Sequence, residues 1–463
     1  MRSLSFLFLI TCSLLLASCA NEKADDSNQA NLKRKLHDLV YNEEKRPTEI
    51  SGLQMVLIKN GRVVFEHAEG LARRKEGAAV PLTIDHKVRV ASISKFVLTM
   101  AFMSLVEERK VHLDADISDY LGFELRNPNF PDRKITARQV LAHVSSIRDG
   151  SYYFMGIEDD YRDFFRLGTN PLSAAHYDDG NHFASEPNQG PGDFFTYSNL
   201  NFGIISGIVE NVSGQRMDLF VKENLFDPLN LKSTFNVCSL HENGFSALAT
   251  LYRRGDGGLT WDPAGPWVEQ VDGDPVRCFY EGAVYERGDV PDFSILNTYE
   301  PGKNPTLFSP QGGLRASAKD LAVLMQVLLL DGKMGSRQII SKSTINEMMT
   351  PVWQYNEELK NGHTGGEAAI GDPKADGMMT AYGLSTHIVD LKDWGLTQES
   401  RKLYGHLGAA YGLQGQFWFD PVSRDGIIAF VTGLGDNPDK AEKTTPLFAI
   451  EEVLLRLGLE GLD

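Results

Sequence analysis

The chain has 463 residues, of which 42% are hydrophobic and 23% charged, a composition typical of a soluble globular protein with a sizeable core. Its formal net charge of −16 repels phosphate backbones, so the composition argues against a protein that binds nucleic acid.

The N-terminal segment is typical of an export signal. Arg2 precedes a short apolar run that closes on Leu16-Ala17-Ser18-Cys19. This pattern predicts a signal peptide over residues 1–18 and resembles the lipobox of bacterial lipoproteins. Cys19 would then carry lipid and anchor the exported protein on the periplasmic or cell-surface side, and a plain secretory signal is the alternative. Residues 19–30 follow as a polar, flexible tether.

Two cysteines remain beyond the lipobox, and no second apolar run is long enough to span a membrane. In an oxidising compartment, Cys238 and Cys278 could form a disulfide. Two free thiols are the alternative, because the sequence does not give their separation.

The elements of the main domain, residues 31–460, predict an α+β fold. After an opening helix at 31–44, Asn60-Gly61 joins two β-rich runs in a hairpin, and a strand-turn-strand unit precedes a final helix at 446–459. The helical segments between these ends are 93–109, 136–144, 201–213, 216–224, 318–331 and 341–349. Residues 250–310 lack periodicity and read as an ordered loop region beside a cleft. We therefore expect a sheet built from both termini, with a helical and loop insertion at roughly 135–310.

Ser92 and Lys95 stand at the head of a segment that is apolar on every side. Such a helix is buried, and positions i and i+3 share one face. Burial disfavours the charged form of a lysine, and a neighbouring base activates a serine hydroxyl. The pair therefore suggests an acyl-transfer nucleophile whose oxyanion lies near a helix N-terminus. The alternative is a plain N-cap serine with a lysine that reaches solvent.

Two further motifs could complete such a site. Tyr197-x-Asn199 follows a Pro-Gly turn and precedes an apolar helix, although a core tyrosine and a helix-capping asparagine would also fit. His-x-Gly occurs at His363, in a polar loop, and at His406, which runs into the C-terminal strand pair. We choose His406 as the third catalytic candidate and treat His363 as a loop residue.

In this order, the three motifs resemble those of the serine β-lactamase family, and most closely class C β-lactamases, D-alanyl-D-alanine carboxypeptidases and related esterases. The resemblance implies a β-lactamase/transpeptidase-like fold and an acyl-enzyme on Ser92, with Lys95 and Tyr197 transferring protons. It implies that Asn199 binds the substrate. It also implies an oxyanion hole formed by the backbone N–H groups of Ser92 and Ala409, the residue after His406-x-Gly408.

The third motif departs from the family's usual Lys-Thr/Ser-Gly. A neutral His406 attracts a carboxylate less than lysine does, and Leu407 offers no hydrogen bond, although protonation of His406 in acid could restore some attraction. We therefore expect a serine hydrolase for esters or amides, acting on small-molecule or peptide-like substrates, with weak or no β-lactamase activity. A slowly acylated penicillin-binding-like binding or sensor protein is the alternative. No cofactor or metal is expected, and the oligomeric state stays open.

Overall fold

The computed structural model describes residues 27–74, 79–156, 159–168, 173–237, 240, 247–255, 261–270, 296, 298–365, 377–435 and 443–463. The predicted signal peptide, Cys19 and the cysteines Cys238 and Cys278 lie outside these residues. Within the described ranges, no helix has the length and apolar character that crossing a bilayer requires.

The strands come mainly from the two ends of the chain, as predicted. They are β1 (Gly52–Lys59), β2 (Arg62–Arg73), β3 (Val80–Pro81), β4 (Val88–Arg89), β5 (Leu251–Arg254), β6 (Trp267–Gln270), β7 (Arg315–Ala316), β8 (Lys333–Met334), β9 (Arg337–Gln338), β10 (Trp353–Gln354), β11 (Ala381–Tyr382), β12 (His387–Asp390), β13 (Lys402–Ala410), β14 (Leu413–Asp420) and β15 (Asp425–Thr432). In the described part of the chain, nine of them form one antiparallel sheet in the order β10-β11-β12-β13-β14-β15-β1-β2-β3. The pairing of β15 with β1 joins the C-terminal strands to the N-terminal ones.

Most of the predicted helices are present, with shifted ends. They are α1 (27–41), α2 (Ile93–Glu107), α3 (Ser118–Leu121), α4 (Ala137–Leu141), α5 (Ser173–Tyr177), α6 (Leu200–Ser213), α7 (Met217–Val221), α8 (Ala318–Leu329), α9 (Lys342–Met349) and α10 (Ala449–Leu462). Short 3₁₀ or π turns occupy Tyr161–Phe164, Asp178–Gly180, Lys222–Phe226 and Asp227–Leu229.

Two segments differ from the expectation. Residues 27–30, assigned to the tether, are already part of α1. Within 250–310, β5 and β6 pair as a hairpin, and the guanidinium groups of Arg74 and Arg254 lie 4.0 and 4.7 Å from the centre of the Trp267 ring. A strand of four residues has too few alternating apolar and polar positions to be recognised in the sequence. The cation–π contacts that support this pair come partly from Arg74, which is distant in sequence.

The sheet is covered by helices on both faces, which explains why β1 is an almost unbroken apolar run. Met55 and Leu57 pack into a cluster with residues of α1 and α10, whereas Val56 and Ile58 pack with residues of α2 and α8. A strand buried on both faces has no need of polar alternation. Asn60 and Gly61 at the predicted hairpin both have positive φ, at 52° and 76°, as a type I′ turn requires.

Candidate active site

Ser92 and Lys95 meet at the start of α2, as the helical spacing predicts. The Lys95 side chain is 0% exposed, and its Nζ lies 2.9 Å from Ser92 Oγ. Ser92 occupies the N-cap position, but its side chain makes no capping hydrogen bond. Both simpler interpretations, a capping serine and a lysine that reaches solvent, are therefore wrong.

The other partners of Lys95 define what its nitrogen can do. Nζ lies 2.7 Å from Asn199 Oδ1 and 2.9 Å from the Gln311 carbonyl oxygen, and both of these atoms can only accept a hydrogen bond. A neutral amine would donate its two hydrogens to them and direct its lone pair at the Ser92 hydroxyl. The three contacts therefore give Lys95 the orientation that a base acting on Ser92 would need.

Gln311 lies far from Lys95 in sequence and is brought to it by backbone pairing. Strand β4, just before Ser92, pairs with β7, just after Gln311. The Val90 N–H also donates to the Leu314 carbonyl at 2.9 Å. Because the contact uses a main-chain oxygen, the identity of the glutamine side chain gave no signal in the sequence.

Asn199 holds the lysine from the other side. Its Oδ1 accepts from Lys95, and its Nδ2 donates to Asp149 Oδ2 at 2.9 Å. Although Asn199 is the N-cap residue of α6, its side chain makes no capping hydrogen bond. These two contacts position the lysine, and the substrate contact implied by the resemblance stays a prediction.

Asp149 is a site residue that the sequence analysis did not assign. Its Oδ1 accepts from Ser198 Oγ and from the Leu200 N–H, both at 2.9 Å, so the carboxylate replaces Asn199 as the acceptor at the start of α6. Burial raises the pKa of Asp149, while these hydrogen bonds and the Lys95 charge act against that rise. An Asp among many acidic residues carried no distinguishing pattern.

Tyr197 lies beside the serine and lysine, and a second unassigned residue supports it. The centre of its ring is 4.9 Å from Lys95 Nζ, and it stacks on the His143 ring at 4.4 Å. His143 Nδ1 accepts the Ser198 N–H at 3.1 Å, which fixes the loop that carries the tyrosine. Burial, together with the charge of Lys95, lowers the pKa of His143 well below its usual value, so this ring is neutral.

His406 is placed on β13 in the cleft wall, but its chemistry differs from the expectation. Its Nδ1 contacts the Leu407 carbonyl oxygen at 2.6 Å and must therefore carry the hydrogen, which leaves Nε2 to accept from the Tyr382 hydroxyl at 3.0 Å. Burial lowers the pKa of His406 well below its usual value.

These contacts bear on both expectations for His406. Protonation in acid, which could have restored some attraction for carboxylates, is opposed by burial. A catalytic role for His406 stays a prediction, and in this structure both of its ring nitrogens are bonded to the protein. The imidazole therefore shapes the cleft wall. His363, the other candidate, lies outside any strand, as expected.

Gly408 explains why a glycine follows His406 at this spacing. A Cβ at position 408 would lie 2.4 Å from the Val90 carbonyl oxygen, so only glycine lets β13 approach the turn that carries Ser92. Strand β12 pairs with β13 only from Lys402 to Gly405. Beyond that point the described strands leave one edge of β13 open, and Ala409 lies on it.

The cleft between these elements has a volume of about 120 Å³ and is lined by Ser92, Tyr197, His387, His406, Leu407, Gly408 and Ala409, among others. A wider groove of about 680 Å³ lies elsewhere, beside Leu32 and Glu460, and its lining has no serine, cysteine or histidine. Within the described residues, no group of three or more His, Cys, Asp or Glu side chains is arranged to hold a metal ion.

Known proteins resemble this chain in sequence and in fold. The family model described as Beta-lactamase matches residues 41–451. Esterase EstB from Burkholderia gladioli is 28% identical over 211 residues, which cover 42% of this chain and 49% of that protein. The chain thus spans about half of the length of this curated relative.

Two solved structures share the fold. EstCE1, described as a hydrolase with promiscuous acyltransferase activity, aligns with a TM-score of 0.61 and 19% identity, covering 95% of this chain and 100% of that one. The octameric penicillin-binding protein homologue from Pyrococcus abyssi aligns with a TM-score of 0.58 and 21% identity, covering 93% of this chain and 77% of that one.

Proposed function

This chain belongs to the β-lactamase family, and from that premise we propose that it is a serine hydrolase acting through a covalent acyl-enzyme on Ser92. The observation that carries the proposal is the 2.9 Å contact between Ser92 Oγ and the fully buried Lys95 Nζ. A protein that only binds its ligand needs no such proton-transfer pair.

In the proposed reaction, Ser92 Oγ bonds to the substrate carbonyl carbon while its proton moves to Lys95 Nζ. The negative charge that develops on the carbonyl oxygen is stabilised by the backbone N–H groups of Ser92 and Ala409. The bond to the leaving oxygen or nitrogen then breaks, and that atom takes the proton from Lys95, directly or through the Tyr197 hydroxyl. Water then attacks the acyl carbon and gives a proton to Lys95 Nζ. The bond between the acyl carbon and Ser92 Oγ breaks, Oγ takes that proton back from Lys95, and the acid is released with Ser92 and the neutral lysine restored.

The third motif favours esters or amides that lack a carboxylate beside the reacting bond. His406 is neutral and bonded to the protein, and Leu407 has no polar atom to offer. Losing one charge-assisted hydrogen bond costs about 1.5–3 kcal/mol, or roughly tenfold to more than a hundredfold in rate. The names of EstB and EstCE1 describe an esterase and a hydrolase, which supports the same choice.

The proposal is tested by measuring the intact mass of the protein after incubation with a fluorophosphonate probe. Turnover of p-nitrophenyl esters and of a chromogenic cephalosporin is measured on the same protein. Ser92→Ala is the test variant, and Ser104→Ala, in the same helix, is the matched control. We expect one adduct that only Ser92→Ala abolishes, and faster ester than cephalosporin turnover. A fast cephalosporinase would contradict the carboxylate argument. A stable stoichiometric adduct without turnover would favour the binding or sensor protein.

We further propose that the protein is exported and lipid-anchored through Cys19, from the lipobox-like segment. Metabolic labelling with a palmitate analogue, in cells that express the full chain, tests this. Labelling that disappears in Cys19→Ala supports the anchor, whereas unchanged labelling of that variant contradicts it.

A further inference from the structure

Glu210 is a buried carboxylate on α6 that the reaction described above does not use. It is 1% exposed, and it accepts three hydrogen bonds from the protein. Its Oε1 accepts the Met217 N–H at 2.9 Å, at the start of α7. Its Oε2 accepts the Tyr299 hydroxyl and the Gly302 N–H, both at 2.7 Å. Glu210 therefore ties α6 to α7 and to the segment that follows Tyr299.

Residues 299–311 form a strap of turns that follows α6 from its end to its start. Halfway along, a Cβ added to Gly203 of α6 would lie only 3.0 Å from Thr306 Cγ2, so the strap and the helix pack closely against each other. The strap then reaches Gln311, whose carbonyl oxygen lies 2.9 Å from Lys95 Nζ. It thus connects the Glu210 contacts with the active site.

Lys95 joins the same two elements at their other end. Its Nζ contacts Asn199 Oδ1 at the N-cap of α6 and the Gln311 carbonyl oxygen at the end of the strap. Glu210 lies three helical turns along α6 from Asn199, which is about 16 Å. The helix and the strap are therefore fixed to each other at one end by Glu210 and at the other by the lysine that faces Ser92.

Glu210 changes its charge in the neutral pH range. Burial, with the nearby charge of Asp218, raises the pKa of Glu210 from 4.5 to about 7, while its three hydrogen bonds act against that rise. An ionised carboxylate only accepts hydrogen bonds and so suits three donors. Below pH 7 the carboxyl group takes up a proton, and this adds a fourth donor hydrogen to a site that already holds three.

The neighbouring groups do not supply a competing base on the strap side. The titratable groups that face Glu210 from the elements packed on it are Asp218 with Arg216 at α7, Tyr299 on the strap, and Tyr161 with Asp160 and Arg162 at the 3₁₀ turn. Arg216 is bonded to Asp218. Burial and the charge of Glu210 raise the pKa of both tyrosines, so both hydroxyls stay protonated.

We propose that Glu210 is a positioning residue for the lysine base: its carboxylate clamps the strap to α6 and so keeps the two acceptors of Lys95 at their spacing. When Glu210 is protonated, the strap is held less firmly, and Lys95 loses part of its orientation toward Ser92. This inference rests on the proposed hydrolase function and adds to it a control of the base by a second ionisable group.

The test compares kcat/KM for p-nitrophenyl acetate at pH 8 and at pH 5.5 in the wild type and in Glu210→Gln, which copies the neutral acid. Glu107→Gln is the matched control, because Glu107 accepts the Ser341 N–H at 2.7 Å and so also holds a distant segment. It lies at the far end of α2 from the site. The readout is the ratio of wild type to variant at each pH, in which the titration of Lys95 itself cancels.

We expect the wild type to exceed Glu210→Gln about tenfold at pH 8, as one weakened charge-assisted hydrogen bond allows. At pH 5.5 the wild-type carboxyl is itself mostly neutral, so the ratio should fall below about threefold, which also shows that the variant is folded. Glu107→Gln should match the wild type at both pH values. An equal ratio at both pH values would mean that Glu210 is only structural, and a ratio of one at pH 8 would mean that the clamp does not reach Lys95. Either result overturns the proposal.

If the wild type neither hydrolyses the ester nor takes up a fluorophosphonate on Ser92, the proposed function fails, and the clamp is judged without turnover. Amide hydrogen exchange at pH 8 would be followed by mass spectrometry in peptides that cover residues 305–311 of the wild type, Glu210→Gln and Glu107→Gln. Faster exchange in Glu210→Gln alone supports the clamp. Equal exchange in the wild type and Glu210→Gln, or the same increase in Glu107→Gln, overturns it.

Discussion

Replacing Gly408 by alanine tests whether β13 must touch the turn that carries Ser92. The added Cβ would lie 2.4 Å from the Val90 carbonyl oxygen, whereas ordinary contacts begin at 3.4 Å, so the two backbones must separate by about 3.4 − 2.4 = 1.0 Å. The neighbour is a main-chain atom, which cannot rotate away as the end of a side chain could.

A displacement of this size would move the Ala409 N–H away from the oxyanion while leaving Lys95 and Ser92 in contact. Losing one oxyanion-hole donor typically costs about 10²–10³ in kcat, and overpacking of this kind destabilises by about 1–3 kcal/mol. We therefore expect Gly408→Ala to lower kcat for a p-nitrophenyl ester about a hundredfold, with a moderate loss of stability.

The assay needs a control that loses stability without touching the site. Gly395 has φ of 70°, and a Cβ added there would meet no atom within 4 Å, so Gly395→Ala strains the backbone in open space. Alanine in that region costs about 1–2 kcal/mol. Steady-state kinetics and urea unfolding of both variants separate the two effects. If Gly408→Ala keeps kcat within about threefold of the wild type, β13 relaxes freely or Ala409 is not an oxyanion donor, and the reasoning is refuted.

Three further predictions concern the groups around Lys95. Lys95→Met keeps the side-chain volume and should lower kcat for p-nitrophenyl acetate by at least about 10²-fold. Turnover within about threefold of the wild type would contradict the role of Lys95 as the base. Asp149→Ala leaves the Leu200 N–H without its acceptor. It should cost about 1–3 kcal/mol in urea unfolding and lower kcat through a displaced Asn199, whereas Asp149→Asn should lose less. Burial lowers the pKa of His387 from 6.5 to about 3 in the folded state. As the pH drops below 6.5, His387 is therefore protonated in the unfolded chain while it stays neutral in the folded one. The free energy of unfolding should therefore decrease by about 2 kcal/mol more between pH 7 and 5 in the wild type than in His387→Phe, and equal decreases would contradict this.

The local parts of the site could be predicted from the sequence. Helical spacing places Ser92 beside Lys95, and a segment that is apolar on every side must be buried. The Asn60-Gly61 turn has a strong local conformational preference, and both residues have the positive φ that it requires. The choice of His406 over His363 also followed from local context, because only His406 runs into a strand pair.

The residues that complete the site could not be predicted, because their roles depend on pairings between distant segments. Gln311 contributes a main-chain oxygen, so its side chain is irrelevant to the contact. Asp149 and His143 reach the Tyr197 loop only after the chain has folded back from α4 to α6. Residues 27–30 and the β5–β6 hairpin show the same limitation for short elements, whose periodicity is too brief to read.

The sequence by itself determined the family, the contact between Ser92 and Lys95, and the sheet built from both termini, because these depend on motif order and on periodic burial. The tertiary structure decided which ionisable groups carry charge. His406 and His387 are ordinary histidines in the sequence, and only the packing of β12 and β13 against the core removes their water and keeps them neutral. Desolvation and hydrogen-bond pairing depend on neighbours from every part of the chain, so the proposed preference for substrates without a carboxylate rests on the fold.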